Sequence, residues 1–303
     1  MDRDIVDVQL HLGPGPVEPT LAEMDALGIR SVLIEEYWVG AHGEGDHDAL
    51  MPGYRLPNGA WRSVYPTAMS ASLRYPDRFA YFVRLDRRDP ELEQHMRTIA
   101  AGPGAKGFRV LGCWSAEETA ALAAGAYDAL FDVAQDIGLP LCIFVPGHAE
   151  LLPRYLRRFP RLQFVLDHMG IGMRAHPPGR SAAEEERTGD PAYFREVLKL
   201  AEFSNLALKL SHAPMLLRAG GYPFDAERPY LRRAIEAFGA DRLLWASDAT
   251  IMPHYAWADL LNYLRLDPEL SDAEKSAILG ANARRVFNWP RFCLLYTSPS
   301  PRD

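Results

Sequence analysis

Short apolar runs alternate with amphipathic segments along most of the chain. The runs are rich in Val, Ile, Leu and Phe, as buried strands are, whereas the segments between them space apolar residues three and four apart, as helices do. Eight strands are predicted, over residues 5–13, 31–36, 78–85, 106–111, 139–145, 162–167, 206–211 and 243–247. Helices are predicted over 18–28, 67–75, 89–101, 115–137, 150–159, 191–203, 227–238 and from 271 onward. This alternation is typical of a closed parallel (β/α)8 TIM barrel, although a doubly wound open sheet fits it too.

Two segments interrupt the alternation. The longer one, residues 37–66 after the second strand, is rich in Gly, His and aromatic residues. Long connections of this kind are disordered or functional, and the aromatic content favours a lid over a site. The second, residues 172–190, is polar and predicts a surface loop. His42 and His47 lie in the first segment, where an exposed histidine has no assigned role.

Polar residues within the first strand give the earliest hint of chemistry. Side chains two apart on a strand share a face, so Gln9 and His11 point into one space while Val8 and Leu10 point into the other. An edge strand with a wet face would show the same pattern. The strand ends further along the chain favour the functional interpretation, because polar residues follow them as well.

The closed barrel would bring these strand ends together. The carboxyl ends of all eight strands lie on one face of a TIM barrel, which is where such enzymes carry their active sites. At these ends stand Gln9 and His11, Arg109, His168, Ser211 with His212, and Asp248. We therefore expect one shared polar site.

Composition and charge narrow the possible partners. The chain of 303 residues has a net charge of −7 and no basic run, which argues against nucleic acid. No apolar stretch reaches membrane-spanning length, and the acidic start does not predict a secretion signal. The three cysteines lack CxxC spacing, which favours a reduced, cytoplasmic compartment without a thiolate zinc site. The sequence leaves a homo-oligomer open.

Several motifs together carry a family likeness. They are DVQLH at 7–11, YPDRF at 75–79, GAKGFR at 104–109, LDHMG at 166–170, LKLS at 208–211, LLWASD at 243–248 and NARRVF at 282–287. In this order and spacing the chain resembles the amidohydrolase-2 branch of the amidohydrolase superfamily, which includes lactonases and decarboxylases on a distorted (β/α)8 barrel. The resemblance covers about residues 4–288. It implies a single domain over 1–290, and residues 291–303, which resemble translated sequencing adapter, are expected to be a non-native or disordered tail.

The resemblance also implies a metal-ligand pattern that this chain matches in part. Metal-dependent relatives carry HxH on strand one, a His at the end of strand five, a His after strand six and an Asp after strand eight. His11, His168 and Asp248 match, but Gln9 replaces the first His and Phe144 stands at the strand-five position, with His148 shortly after it. Since a catalytic Zn²⁺ usually needs three good protein ligands, we expect either no metal requirement or one divalent ion, best Zn²⁺, at an incomplete site.

From the resemblance we expect a hydrolase that opens a lactone or similar activated ester of a carboxylate-bearing small molecule. Asp248 would be the general base, while His168 and His11 would polarise the carbonyl or stabilise the oxyanion. Arg109 suits a substrate carboxylate, with help from Arg55. The remaining substrate-binding candidates are Gln9, Lys209 and His254.

Alternatives remain for both the residues and the function. Asp248 could only fix neighbouring loops, and Arg109 could form a salt bridge at the barrel mouth. Gln9 could simply be a hydrogen-bonded residue, and Lys209 and His212 fit either role. A metal-dependent non-oxidative decarboxylase of an aromatic or unsaturated acid, or a non-catalytic barrel that binds an anionic small molecule, would also suit the family likeness.

Overall fold

Eight parallel strands form one sheet in the computed structural model, which describes residues 4–37, 52–171, 193–216, 220–252 and 254–290. The strands are β1 (Ile5–Leu12), β2 (Ile29–Glu36), β5 (Phe79–Arg84), β6 (Ala105–Val110), β7 (Leu141–Ile143), β8 (Phe164–Leu166), β9 (Leu206–Lys209) and β10 (Leu243–Leu244). They neighbour one another in chain order. A separate antiparallel hairpin, β3 (Gly53–Arg55) with β4 (Trp61–Ser63), follows β2.

Two backbone hydrogen bonds join the ends of the sheet. Val8 N donates to Trp245 O at 3.2 Å, and Asp248 N donates to Gln9 O at 3.0 Å. The sheet therefore closes on itself as a TIM barrel, and the open-sheet alternative is wrong. The barrel is distorted where the pairing of β1 with β2 shifts register between Asp7 and Leu10. This irregularity lies directly at Gln9.

Helices surround the barrel. They are α1 (Glu18–Leu27), α2 (Pro66–Arg74), α3 (Leu92–Ala101), α4 (Ala116–Ala124), α5 (Asp128–Ile137), α6 (Leu152–Arg158), α7 (Phe194–Leu198), α8 (Ala213–Leu216), α9 (Arg228–Phe238), α10 (Trp257–Arg265), α11 (Asp272–Ser276) and α12 (Asn282–Val286). The single helix predicted over 115–137 is in fact two, because Gly125 takes φ +87° and ends the first. No helix among the described ranges is both long and apolar enough to cross a bilayer.

The strands build an apolar layer inside the barrel and a polar layer above it. Side chains of a strand point alternately into and out of the barrel, so residues two positions apart both point inward. On four strands a buried apolar residue is followed in this way by a charged one: Leu33 by Glu35, Phe82 by Arg84, Val165 by Asp167, and Ala207 by Lys209. Charged groups thus collect at the carboxyl end of the barrel.

Some predicted segments lie outside the described residues. Of the expected lid over 37–66, the structure describes Tyr37 and the part from Pro52 on, which forms the β3–β4 hairpin. His42 and His47, the predicted surface loop from Gly172 on, and the tail over 291–303 are outside the described ranges. The lid and the tail therefore stay predictions.

Candidate active site

A chain of buried ion pairs crosses the polar layer. The Glu35 carboxylate accepts from Arg84 at 3.0 Å and also pairs with Arg109. Arg109 Nε donates to Asp167 Oδ2 at 2.7 Å, and its Nη2 lies 3.4 Å from His168 Nε2. Burial lowers the pKa of Arg109, but the neighbouring carboxylates raise it by more, so its pKa lies above the usual value. The guanidinium is therefore a permanent cation held by protein partners.

Lys209 brings a second cation to the barrel axis. Its Nζ lies 2.7 Å from Asp167 Oδ1 and donates to Gln9 Oε1 at 3.0 Å. The side chain is fully buried, which disfavours the ammonium form, yet the facing Asp167 carboxylate raises its pKa. Burial would likewise raise the pKa of Asp167, but Arg109 and Lys209 hold it well below its usual value. The two cations and this carboxylate thus remain charged inside the barrel.

Three strand-end residues share an unusual backbone conformation. His168, His212 and Asp248 take φ values of +51°, +58° and +54°, in the left-handed region that residues with a Cβ rarely adopt. Such conformations cost on the order of 1–3 kcal/mol each and concentrate at functional sites. Here they turn the chain directly after three strands, and ligand-type atoms of the three side chains lie within 4.8 Å of one another.

Asp248 is the centre of this cluster. His11 Nε2 lies 3.0 Å from Oδ1, Gln9 Nε2 donates to Oδ2 at 3.0 Å, and His212 Nε2 lies 2.7 Å from Oδ2. Burial alone would raise the pKa of Asp248, but the adjacent His11 and His212 hold it well below its ordinary value. The carboxylate therefore stays ionised with donors on both oxygens.

The histidines are oriented by groups on their far sides. His11 Nδ1 faces Glu35 O at 3.2 Å, and His168 Nδ1 lies 2.6 Å from Ser211 Oγ. The rings of His168 and His212 stack with centroids 4.3 Å apart. Burial, with His212 beside it, lowers the pKa of His168 well below its usual value, so this ring is neutral at neutral pH.

The structure brings together most of the residues singled out from the sequence. Gln9, His11, Arg109, His168, Lys209 and Asp248 all belong to the connected polar layer. Arg55 lies apart on the hairpin, over the Trp61 ring, and His254 is exposed in a turn beyond Asp248. The roles predicted for these residues are still predictions. His212 joins the cluster although the sequence left its role open; its place one residue after the Ser211 strand end was the available signal.

A closed barrel with buried His and Asp side chains at its carboxyl end defines a TIM-barrel enzyme site. A family model described as Amidohydrolase matches residues 6–289, and the chain belongs to this family.

Similar proteins fit this assignment. L-fucono-1,5-lactonase of Burkholderia ambifaria is 35% identical over 125 residues, which make up 41% of this chain; the match spans about a third of the lactonase, 35% of its length.

Solved structures share the fold. An amidohydrolase from Burkholderia multivorans with bound zinc is 19% identical, with a TM-score of 0.67 over 95% of this chain and 100% of that one. A candidate 2-pyrone-4,6-dicarboxylic acid hydrolase from Pseudomonas putida is 18% identical, with a TM-score of 0.66 over 95% and 99% of the two chains.

The residues present supply part of a ligand set for a divalent metal. Family members typically use such an ion, and His168, His212 and Asp248 form a three-ligand set of the right donor types. Among the described residues His212 Nδ1 has no hydrogen-bond partner, although it is buried. Phe144, where a fourth ligand was expected, packs its ring 5.5 Å from His168 and cannot ligate. A divalent ion would therefore be held by three residues, His168, His212 and Asp248. The set predicted from the sequence had His11 in place of His212.

Proposed function

We propose that this protein is a hydrolase that opens the ring of a lactone, or cleaves a similar activated ester, of a small molecule that carries a carboxylate. The main support is Asp248, a fully buried carboxylate kept ionised by imidazole and amide donors at the mouth of the barrel. The lactonase named among the relatives and the candidate pyrone hydrolase among the structural neighbours act on cyclic esters, as their names state.

In the proposed reaction Asp248 accepts a proton from water as the water oxygen attacks the lactone carbonyl. A lowered pKa makes a carboxylate a weak base, so Asp248 holds the proton only briefly. His212 Nε2 at 2.7 Å and His11 Nε2 at 3.0 Å face its two oxygens as donors, so the proton passes from Asp248 to the substrate itself. When the ring C–O bond breaks, the proton returns to the leaving alkoxide, and the product is a hydroxy acid.

The oxyanion that forms on the carbonyl would be stabilised by cationic side chains of the polar layer. Arg109 and Lys209 are buried cations, and fixed charges act strongly where water is excluded. A divalent metal held by His168, His212 and Asp248 would add Lewis-acid polarisation of the carbonyl. Lactones are reactive enough for a carboxylate base and fixed donors to be a sufficient minimum.

The test is turnover of a lactone panel by wild type and Asp248→Asn, followed as proton release. We expect the asparagine, which cannot accept the proton, to reduce kcat by at least about 100-fold, the usual contribution of a general base. Asp136→Asn, an exposed site on α5, is the matched control and should keep full activity. Unchanged ring opening in Asp248→Asn would contradict the proposal.

Two other outcomes point elsewhere. CO₂ release from an aromatic or unsaturated acid, dependent on added metal, would assign the chain as a decarboxylase. Saturable binding of small carboxylates without turnover of either panel would identify a non-catalytic barrel.

A further inference from the structure

Ser211 stands two residues after β9 and is fully buried. Strand β9 pairs in parallel with β8, with Leu208 opposite Leu166, so the residues that follow the two strands lie side by side. The Ser211 hydroxyl oxygen accepts from the backbone N–H of His168 at 3.2 Å and lies 2.6 Å from Nδ1 of the same residue. One side chain thus contacts both the left-handed turn at His168 and its imidazole ring.

The other ring nitrogen of His168 faces Arg109. Arg109 Nη2 lies 3.4 Å from His168 Nε2, and a guanidinium can only donate hydrogen bonds. Asp167 and Glu35 hold this guanidinium in place through their own contacts with it. A hydrogen on His168 Nε2 would point at an N–H group of Arg109, with no acceptor between the two donors. His168 Nε2 therefore carries a lone pair.

The position of the ring hydrogen follows from this lone pair. A neutral imidazole has one N–H group and one nitrogen with a lone pair, so the hydrogen of His168 is on Nδ1. Ser211 Oγ, at 2.6 Å, is its acceptor. The imidazolium form has hydrogens on both nitrogens, so the contact with Arg109 disfavours it, and burial opposes its charge as well. Both ends of the ring thus indicate the same tautomer.

Aromatic groups on two sides keep the ring in this orientation. The His212 ring stacks on His168 at 4.3 Å between centroids, and the Phe144 ring meets it at 5.5 Å and 77°. A half-turn of the imidazole would bring carbon atoms to the positions that Nδ1 and Nε2 now occupy. The contacts with Ser211 and Arg109 would then both be lost, so the observed orientation is the favoured one.

We propose that Ser211 is a positioning residue that holds His168 as the Nδ1–H tautomer, so that Nε2 acts as an acceptor and not as a donor. The inference rests on the proposed lactone hydrolysis for the role that it gives to His168. His168 cannot donate to the oxyanion, which was the role expected from the sequence. Ligand-type atoms of His168 and Asp248 lie within 4.8 Å of each other, close enough for one water to contact both. His168 then accepts a hydrogen bond from the water that Asp248 deprotonates.

The experiment is ¹⁵N NMR of the full chain with ¹⁵N-labelled histidine, after metal removal by a chelator and at neutral pH. A ring nitrogen that carries a hydrogen and one that carries a lone pair have well separated ¹⁵N shifts, so the spectrum reports the tautomer. His168→Gln identifies the His168 signals among those of the nine histidines. We expect wild type to show the hydrogen on Nδ1. Ser211→Ala should shift the tautomer ratio about 10-fold toward Nε2–H, as the loss of one buried hydrogen bond implies.

Two further variants separate positioning from a general loss of structure. Ser211→Thr keeps the hydroxyl and should retain the wild-type tautomer. Ser204→Ala removes an exposed serine just before β9, at the other end of the same strand, and should leave the His168 signals unchanged. With a lactone that wild type opens, Ser211→Ala should lower kcat by about 10-fold with little change in KM, because the orientation of the water is affected and not substrate binding.

Each result decides the proposal. A hydrogen on Nε2 in wild type overturns it, and this measurement needs no variant to fold. An unchanged tautomer ratio in Ser211→Ala also overturns it, as does a Ser211→Thr ratio equal to that of Ser211→Ala. Because the spectra are recorded without substrate, a failure of lactone hydrolysis leaves the tautomer readout intact and is recognised separately.

Discussion

Gln9 shows how far a single residue could be understood from the sequence. Its shared face with His11 followed from strand periodicity, and the structure confirms that the two side chains meet, 3.5 Å apart between Gln9 Nε2 and His11 Nε2. The contact with Lys209 could not be predicted, because it joins residues 200 positions apart through the closure of the barrel. Here an amide stands where the family resemblance predicts an imidazole, and the Lys209 ammonium donates to it.

His212 illustrates the opposite case. Its location after a strand end was visible, but its contact with Asp248 depends on left-handed turns at both residues. A β-region or helical conformation is the default for His and Asp, so periodicity alone does not predict these turns. The meeting of these two side chains therefore could not be predicted from the sequence.

Asp7 gives a prediction at the same scale. Its carboxylate accepts from Ser247 N, Gln9 N and Trp257 Nε1, yet complete burial raises its pKa to about 6. A folded-state pKa above the unfolded value means that Asp7 stabilises the fold fully below about pH 4 and loses this contribution as pH rises through 6. The free energy of unfolding of wild type minus that of Asp7→Asn should therefore fall by about 2 kcal/mol between pH 4 and 7.

The measurement is denaturant unfolding of both proteins across this pH range. Asp136→Asn, exposed on the surface, serves as the control and should differ from wild type by a nearly constant amount. A difference between wild type and Asp7→Asn that stays flat or rises with pH would contradict the raised pKa.

At the scale of elements, strand and helix order was predictable because each follows from local periodicity. All eight predicted strands are present. Ser115 caps α4, since its Oγ accepts from Glu118 N at 3.2 Å. The Glu118 carboxylate does not return a bond to the cap, because it pairs with Arg87. The break at Gly125 was missed because apolar residues continue on both sides of it, at Leu122, Leu130, Val133 and Ile137.

The last helical segment makes a close contact with the first strand that only coordinates reveal. A Cβ added to Gly280 would lie 1.6 Å from the backbone oxygen of Asp4. Gly280→Ala must therefore push this segment away from β1, and we expect a loss of at least about 2 kcal/mol in the free energy of unfolding. Gly221→Ala, where nothing lies within 4 Å of the added Cβ, should change stability little. Equal stabilities of the two variants would refute the contact.

At the scale of the whole molecule, the match to the family model ends at residue 289. Trp289 is buried, donates through Nε1 to Pro76 O at 3.3 Å, and stacks with Arg284. The barrel thus has its own final anchor before residue 291. Fold class was predictable because it depends on the number and order of strands, whereas the arrangement over the barrel mouth depends on contacts between distant segments.

This anchor supports the predicted boundary of the domain. A protein shortened to residues 1–290 keeps Trp289 and every described contact, so its thermal midpoint should lie within about 2 °C of the full chain, which corresponds to less than about 1 kcal/mol. Differential scanning calorimetry of the two proteins measures this. Removal of Trp289 as well, in a protein ending at residue 288, is the informative comparison and should lower the midpoint clearly. A large loss on removing 291–303 alone would show that the tail belongs to the fold.

The left-handed turns at His168, His212 and Asp248 have a practical consequence. Glycine adopts this backbone region more readily than any other residue, so Gly at these positions removes the side chain while relieving local strain. Most buried side chains cannot be deleted so cleanly. The spaces left behind would match free imidazole and formate, which makes each of the three groups open to replacement by a soluble compound that restores the missing function.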